Sequence, residues 1–155
     1  MSKEIPLTQG KVAIVDDDDY EWLMQRAWRA NSSNSSSRYY AQCHINGKTA
    51  MMHRLICNAG EYSQVDHING NGLDNRRDNL RLCDASQNQH NRGKQKNNTS
   101  GYKGVYKERG KFHVMIRSNG TKIHIGRFAD PIEAARAYDE AAKKYHGEFA
   151  RLNFE

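Results

Sequence analysis

The sequence predicts an α+β protein. A small α+β scaffold carries a strand–loop–strand–helix segment, and a three-stranded antiparallel sheet packed on one helix follows it. Three observations carry that expectation. Short runs rich in β-branched and aromatic residues recur between turn signals, as strands do. Two Asn-Gly pairs, Asn46-Gly47 and Asn119-Gly120, stand between such runs, and Asn-Gly is the strongest short hairpin signal. Asp130, Pro131 and Glu133 open a helical apolar pattern with a cap, a proline at the first position and an acid three residues after the cap.

In chain order, residues 11–15 (KVAIV) are apolar and β-branched, which predicts a strand. Asp16, Asp17, Asp18 and Asp19 follow. A cluster of metal carboxylates is one reading; a helix N-terminus, where Asp caps free N–H groups and suits the helix dipole, is the favoured one. Trp22, Leu23 and Trp28 are expected to pack this helix onto a sheet. Residues 31–37 (NSSNSSS) read as a polar loop. Residues 38–45 and 48–52 read as the two strands of the first Asn-Gly hairpin, and a helix begins near His53.

Residues 94–100 (KQKNNTS) are polar and basic and read as a linker. The expected domains are therefore 1–93, 94–99 as linker, and 100–155. In the last of these, residues 102–107, 111–117 and 122–128 read as strands. Ile132, Ala135, Tyr138, Ala142 and Tyr145 recur at helical spacing and predict one apolar face, ended by His146-Gly147.

The chain has 155 residues, 37% of them apolar and 27% charged, which fits modest cores. No apolar run approaches the roughly 20 residues that span a bilayer, and the first residues lack the apolar core of a signal peptide. The expectation is a cytoplasmic protein that stays where it is made. Cys43, Cys57 and Cys83 show no C-x-x-C pairing, so reduced thiols are favoured over a zinc site. The net charge of +6 is unevenly placed: residues 1–90 hold 10 Lys/Arg against 11 Asp/Glu, and residues 91–155 hold 14 against 7. A basic excess confined to the C-terminal part suits a polyanion.

Residues 65–92 concentrate the chemistry. Asp66-His67 ends a probable strand and residues 69–72 (NGNG) force a turn. A neutral histidine can take a proton from water at physiological pH; a carboxylate beside it suits a hard, oxygen-seeking cation. Asn79 lies 12 residues after His67, and Asn88 lies 9 after Asn79. Residues 80–82 read as a second strand and residues 85–91 as a helix. On that helix His90 lies two residues from Asn88 and so points away from it, whereas Asn91 and Arg92 share the Asn88 face. His90 therefore ranks below Asn88 as a ligand, and Arg92 is expected to touch phosphate. Asn75, Arg76 and Arg77 read either as a solvated loop or as phosphate contacts.

The Asp66, His67, Asn79 and Asn88 spacing on a strand–loop–strand–helix frame resembles the HNH nuclease family, most closely the homing endonucleases of phage introns, over residues 52–92. That resemblance implies a ββα-metal site. His67 would be the general base, Asn79 would hold the loop so that His67 keeps its orientation, and Asp66 and Asn88 would bind one divalent ion. The family's zinc-binding members carry histidines on the helix; Asn88 in that place implies magnesium or manganese, with no zinc. The expected products carry 5′-phosphate and 3′-hydroxyl ends.

Residues 100–154 resemble the DNA-binding domain of the plant APETALA/ethylene-response-factor family. The matching residues include Tyr102 to Val105 by position, Gly110, Lys111 and Phe112, Ile116-Arg117, Ile125-Gly126, the run from Ala134 through Asp139, and Leu152-Asn153-Phe154. In that family a three-stranded sheet lies in the DNA major groove, which admits a β-ribbon. By position, Lys103, Tyr106, Arg117, Lys122 and His124 would face DNA, and the helix would be support. The plant domains carry arginine or tryptophan where Lys103, Tyr106 and His124 stand, so groove and phosphate binding carry over but sequence preference does not.

These observations imply a metal-dependent endonuclease acting on double-stranded DNA, monomeric and without an obligate protein partner. The alternative is a sequence-specific DNA-binding regulator that does not cut. An RNA-binding protein ranks third, because no stacking-aromatic RNA motif appears.

Overall fold

A computed structural model describes residues 1–32 and 38–154, and by packing they divide into Met1–Ala85 and Ser86–Glu155. The division falls ahead of the polar 94–99 stretch at which composition changes.

The first unit begins with a strand that the sequence did not advertise. β1 (Ser2–Pro6) pairs antiparallel with β2 (Val12–Asp16), placing Ile5 opposite Ala13, both buried. β1 is otherwise polar, so period-2 patterning has almost nothing to register there. α1 (Asp17–Met24) follows directly. Leu23 and Trp28 enter the core, with Trp28 Nε1 donating to the Leu23 carbonyl at 2.8 Å; Trp22 packs at its edge.

β3 (Arg29–Ser32), β4 (Tyr39–Ile45) and β5 (Lys48–Met51) form an antiparallel sheet in the order β3-β4-β5. Asn31 and Ser32 thus close a strand rather than open the loop expected at 31–37, because they pair with Tyr40 and Tyr39. Residues 33–37 of that loop lie outside the described residues. Asn46 and Gly47 both have positive φ, 51° and 76°, which matches the twist of the flanking strands in a two-residue hairpin.

α2 (Met52–Ile56) leads to β6 (Gln64–His67), which pairs antiparallel with β7 (Leu80–Cys83). Val65 and Leu80 belong to the same core as Ile5, Val15, Leu23, Met52 and Ile56. The β6–β7 segment is therefore packed into the N-terminal scaffold, not appended to it.

The four aspartates act differently from the capping expected of them. Asp16 stands at the N-cap of α1 but makes no side-chain cap bond. Its Oδ2 instead accepts from the Arg77 N–H at 2.7 Å. Asp19 is 2% exposed and takes both Nε and Nη2 of Arg77 at 2.7 Å. Tertiary partners outbid the local cap, while the acidic first turn still suits the helix dipole. Among the described residues no group of three or more His, Cys, Asp or Glu could hold a metal ion.

The second unit opens on α3 (Ala85–His90) from Ser86 onward. β8 (Val105–Glu108), β9 (Lys111–Ser118) and β10 (Thr121–Phe128) form an antiparallel sheet in the order β10-β9-β8. α4 (Pro131–His146) covers one face, packing Ala134, Ala135, Tyr138, Ala141 and Ala142 on Val105, Val114 and Ile116. The Asp130 side chain accepts from the Glu133 N–H at 2.8 Å, the expected cap. Ile132, expected on the apolar face, is 46% exposed, because the buried stripe starts at Ala134. Buried Asp139 ties down the C-terminal tail by accepting from the N–H groups of Asn153 and Phe154.

Gly104 shows how close the helix lies. It has φ +72°, and a Cβ there would stand 2.0 Å from the Tyr138 ring. Gly104→Ala is expected to destabilise the second unit by roughly 2–3 kcal/mol, through overpacking and left-handed strain together. A chemical-denaturation curve followed by circular dichroism measures it; an unshifted curve refutes the close packing.

Candidate functional site

Strand alternation sends Asp66 and His67 to opposite faces of β6, yet both are buried. On one face Asp66 Oδ2 accepts from Arg81 Nε at 3.0 Å and Nη2 at 2.8 Å. Arg81 is the residue opposite Asp66 on β7, so pairing register delivers the partner.

On the other face the His67 imidazole meets Asn75, His53 and Tyr40. Its Nε2 lies 3.3 Å from Asn75 Oδ1. Its ring centroid lies 5.0 Å from that of His53 and 5.8 Å from that of Tyr40. Burial pushes the His67 pKa below its ordinary value, while the Asn75 contact and the charges of Asp66 and Asp74 pull it partly back. His53 is pushed down to about 3, first by burial and then by the charges of His67 and Arg54. Both imidazoles are therefore neutral at physiological pH.

The loop between β6 and β7 is tied at both ends by Asn79. Asn79 Oδ1 accepts from the Asn69 N–H at 3.0 Å, its Nδ2 donates to the Asp74 carbonyl at 2.7 Å, and its own carbonyl accepts from the Ile68 N–H at 2.9 Å. The loop also docks on β2: the Ile14 N–H donates to the Leu73 carbonyl at 2.8 Å and the Asn75 N–H to the Ile14 carbonyl at 2.7 Å.

That docking corrects the solvated-loop reading of Asn75, which is 0% exposed. Arg76 and Arg77 likewise have carboxylate partners within the protein. Arg76 grips Asp74 with Nε and Nη2 at 2.8 and 2.7 Å, and its guanidinium holds the Asp74 carboxyl below the usual range. Arg77 grips Asp19. A phosphate at either arginine competes with a bond already made.

Asn88 stands on α3, within the second unit, and Arg92 is exposed just past the end of that helix. His90, ranked below Asn88, stacks its ring on His146 at 3.7 Å with 8° between planes. Lys103 departs from the DNA-facing role expected of it. Its Nζ donates to the His90 carbonyl, and burial lowers its pKa to about 8. It sits in the turn before β8, where strand alternation does not govern direction.

Tyr106, Arg117, Lys122 and His124 are exposed on the sheet face opposite α4. Register places Arg117 beside Lys122, and Met115 beside His124. A further row, Tyr106, His113 and Arg127, runs across all three strands. His113, Met115 and Arg127 were missed in the sequence, although the alternation of 111–117 placed the first two on this face. Tyr40 and His53 were missed for a different reason, and Asn75 was read only as solvated loop or phosphate contact: tertiary folding is what brings the three to His67.

A model of the HNH endonuclease family matches residues 50–90. Protein 3.8 of Escherichia phage T7 is 38% identical over 90 residues, which cover 57% of this chain and 74% of that protein. An uncharacterised HNH endonuclease of Acanthamoeba polyphaga mimivirus is 36% identical over 90 residues, covering 57% of this chain and 46% of that protein. The C-terminal region is similar instead to dehydration-responsive element-binding protein 2C of Arabidopsis thaliana, 43% identical over 65 residues. That match covers 40% of this chain but 19% of the plant protein, so the shared part is one segment of a much longer relative.

Proposed function

Because the chain belongs to the HNH endonuclease family, we propose that it is a metal-dependent endonuclease of the homing type, hydrolysing phosphodiester bonds in duplex DNA while its C-terminal sheet binds the major groove. The observation that carries this reading is the state of His67: buried, neutral, and in contact with Asn75 through Nε2. In the proposed reaction the His67 imidazole takes a proton from water as that water attacks phosphorus. The bond to the 3′ oxygen breaks, leaving 5′-phosphate and 3′-hydroxyl ends. Asn79 acts by fixing the loop.

Asp66 and Asn88 would hold a single magnesium or manganese ion. An all-oxygen donor set of one carboxylate and one amide suits a hard cation. When bound, the ion supplies charge stabilisation at the phosphate. The Arg81 bond keeps Asp66 oriented.

Arg117, Lys122, His124 and Tyr106 would contact DNA from the exposed sheet face, and Arg92 would contact phosphate. The tether between cutting and holding parts raises the local DNA concentration at the reacting centre. The protein would act as a monomer in the cytoplasm of a bacterial or phage-infected cell. Supercoiled plasmid is expected to be nicked or linearised with magnesium and left intact with EDTA. The second reading, a regulator that binds without cutting, rests on the C-terminal similarity to a plant element-binding protein. It predicts a DNA gel shift and no cleavage with either metal.

A further inference from the structure

The surroundings of His67 come largely from outside the strand that carries it. His53 and His67 meet at 5.0 Å with 80° between planes, and the Tyr40 ring lies 5.8 Å from each of them, at 64° and 55°. Tyr40 belongs to β4 and precedes the 50–90 segment matched by the family model; His53 belongs to α2. Edge-on and tilted contacts of this kind are the ones that aromatic rings favour.

Two details show that the enclosure is kept at a cost. His53 is 8% exposed, and its Nδ1 has no hydrogen-bond partner among the described residues. An unsatisfied buried polar atom is destabilising, and an apolar ring in the same place avoids that loss. At Gly72 a Cβ would stand 2.4 Å from the Tyr39 carbonyl and 2.6 Å from the Tyr40 ring. The β6–β7 loop is thus drawn against β4 as closely as bare backbone permits.

We propose that Tyr40 and His53 are positioning residues for the nuclease reaction, their rings holding the His67 imidazole in the orientation from which it takes the proton of water. The inference rests on His67 being the base. A histidine ring has a broad second torsion, and the Asn75 contact, at 3.3 Å, is a long restraint on one nitrogen. The two neighbouring rings limit the swing of the imidazole about that torsion. Because Tyr40 lies on β4, the N-terminal sheet is part of the reacting centre.

The test uses the full chain, with single-turnover plasmid cleavage, DNA affinity and melting temperature measured for each variant. Tyr40→Leu is expected to cleave about 10–100-fold more slowly, the scale of an ångström-level misplacement, with DNA affinity unchanged. Tyr40→Phe recovers most of that loss. His53→Phe melts no lower than wild type yet cleaves more slowly, because a six-membered ring crowds His67 while the unpartnered nitrogen is gone. Leu23→Ala, a core change on α1, lowers the melting temperature without lowering the rate in the folded range. Tyr40→Leu cutting at the wild-type rate overturns the proposal. So do rate losses that follow melting temperature across all variants. If His53→Phe does not fold, His53→Asn must cut faster than His53→Ala, and equal rates remove His53 from the proposal. His67→Ala is measured alongside. Cleavage at the wild-type rate by that variant removes the base assignment itself, whereas an inactive His67→Ala with full-rate Tyr40→Leu removes the enclosure alone.

Discussion

His67→Ala is expected to slow cleavage by about 10²–10⁴-fold, the usual contribution of a general base, and to leave DNA affinity unchanged. Rate and affinity separate because the residues assigned to binding lie elsewhere. The basic excess follows residue 90, and the exposed cations Arg117 and Lys122 lie on the C-terminal sheet. His67 is buried and uncharged, so removing it subtracts nothing from phosphate attraction. Single-turnover cleavage and a gel shift on the same duplex measure the two quantities. Wild-type cleavage by the variant would show that another group accepts the proton.

Acid is expected to unfold the first unit from about pH 6.5 downward, with stability falling by up to about 1.4 kcal/mol per pH unit for each proton that only the unfolded chain binds. His53 carries most of this. Its ordinary pKa is 6.5 and its folded value is about 3. Above pH 6.5 it is neutral in both states and contributes no slope. Between 6.5 and about 3 the unfolded chain takes a proton that the buried ring refuses, so stability drops with pH. His67 is shifted in the same direction. The depressed carboxyl of Asp74 also loses stability in acid, but below its ordinary value of 3.8, so the interval from 6.5 to about 4 reports on the histidines. Trp22 and Trp28 both lie in the first unit, which makes tryptophan fluorescence the probe. His53→Phe should flatten the slope. A wild-type slope that is absent, or that is no shallower in His53→Phe, contradicts a buried neutral His53.

Much of the frame was legible because its signals are local. The hairpins at Asn46-Gly47 and Asn119-Gly120 need left-handed backbone at both turn residues, and both pairs supply it. Asp130, Pro131 and Glu133 marked the start of α4 by chemistry confined to four residues. β1 was not legible, since a strand with a single buried residue leaves almost no alternation. Ile132 fitted a helical period but falls before the stripe that the sheet covers. At the site, spacing singled out Asp66, His67, Asn79 and Asn88, whereas Asn75, Tyr40 and His53 reach His67 only through tertiary packing. The arginines of the loop show the same division. Sequence marks Arg76 and Arg77 as cations, but only the fold shows that Asp74 and Asp19 hold them.

The clamp of Arg77 on Asp16 and Asp19 spans 61 and 58 residues of chain. It bears on how this nuclease segment could be passed between proteins. A piece cut at residue 50 leaves behind both aspartates, the strand on which the loop docks, and Tyr40. It keeps Asp66, His67, Asn79 and Asn88 in sequence but loses much of what fixes them in space. The smallest portable unit of this segment therefore starts at β1, and a junction at residue 50 separates the site residues from the scaffold that fixes them.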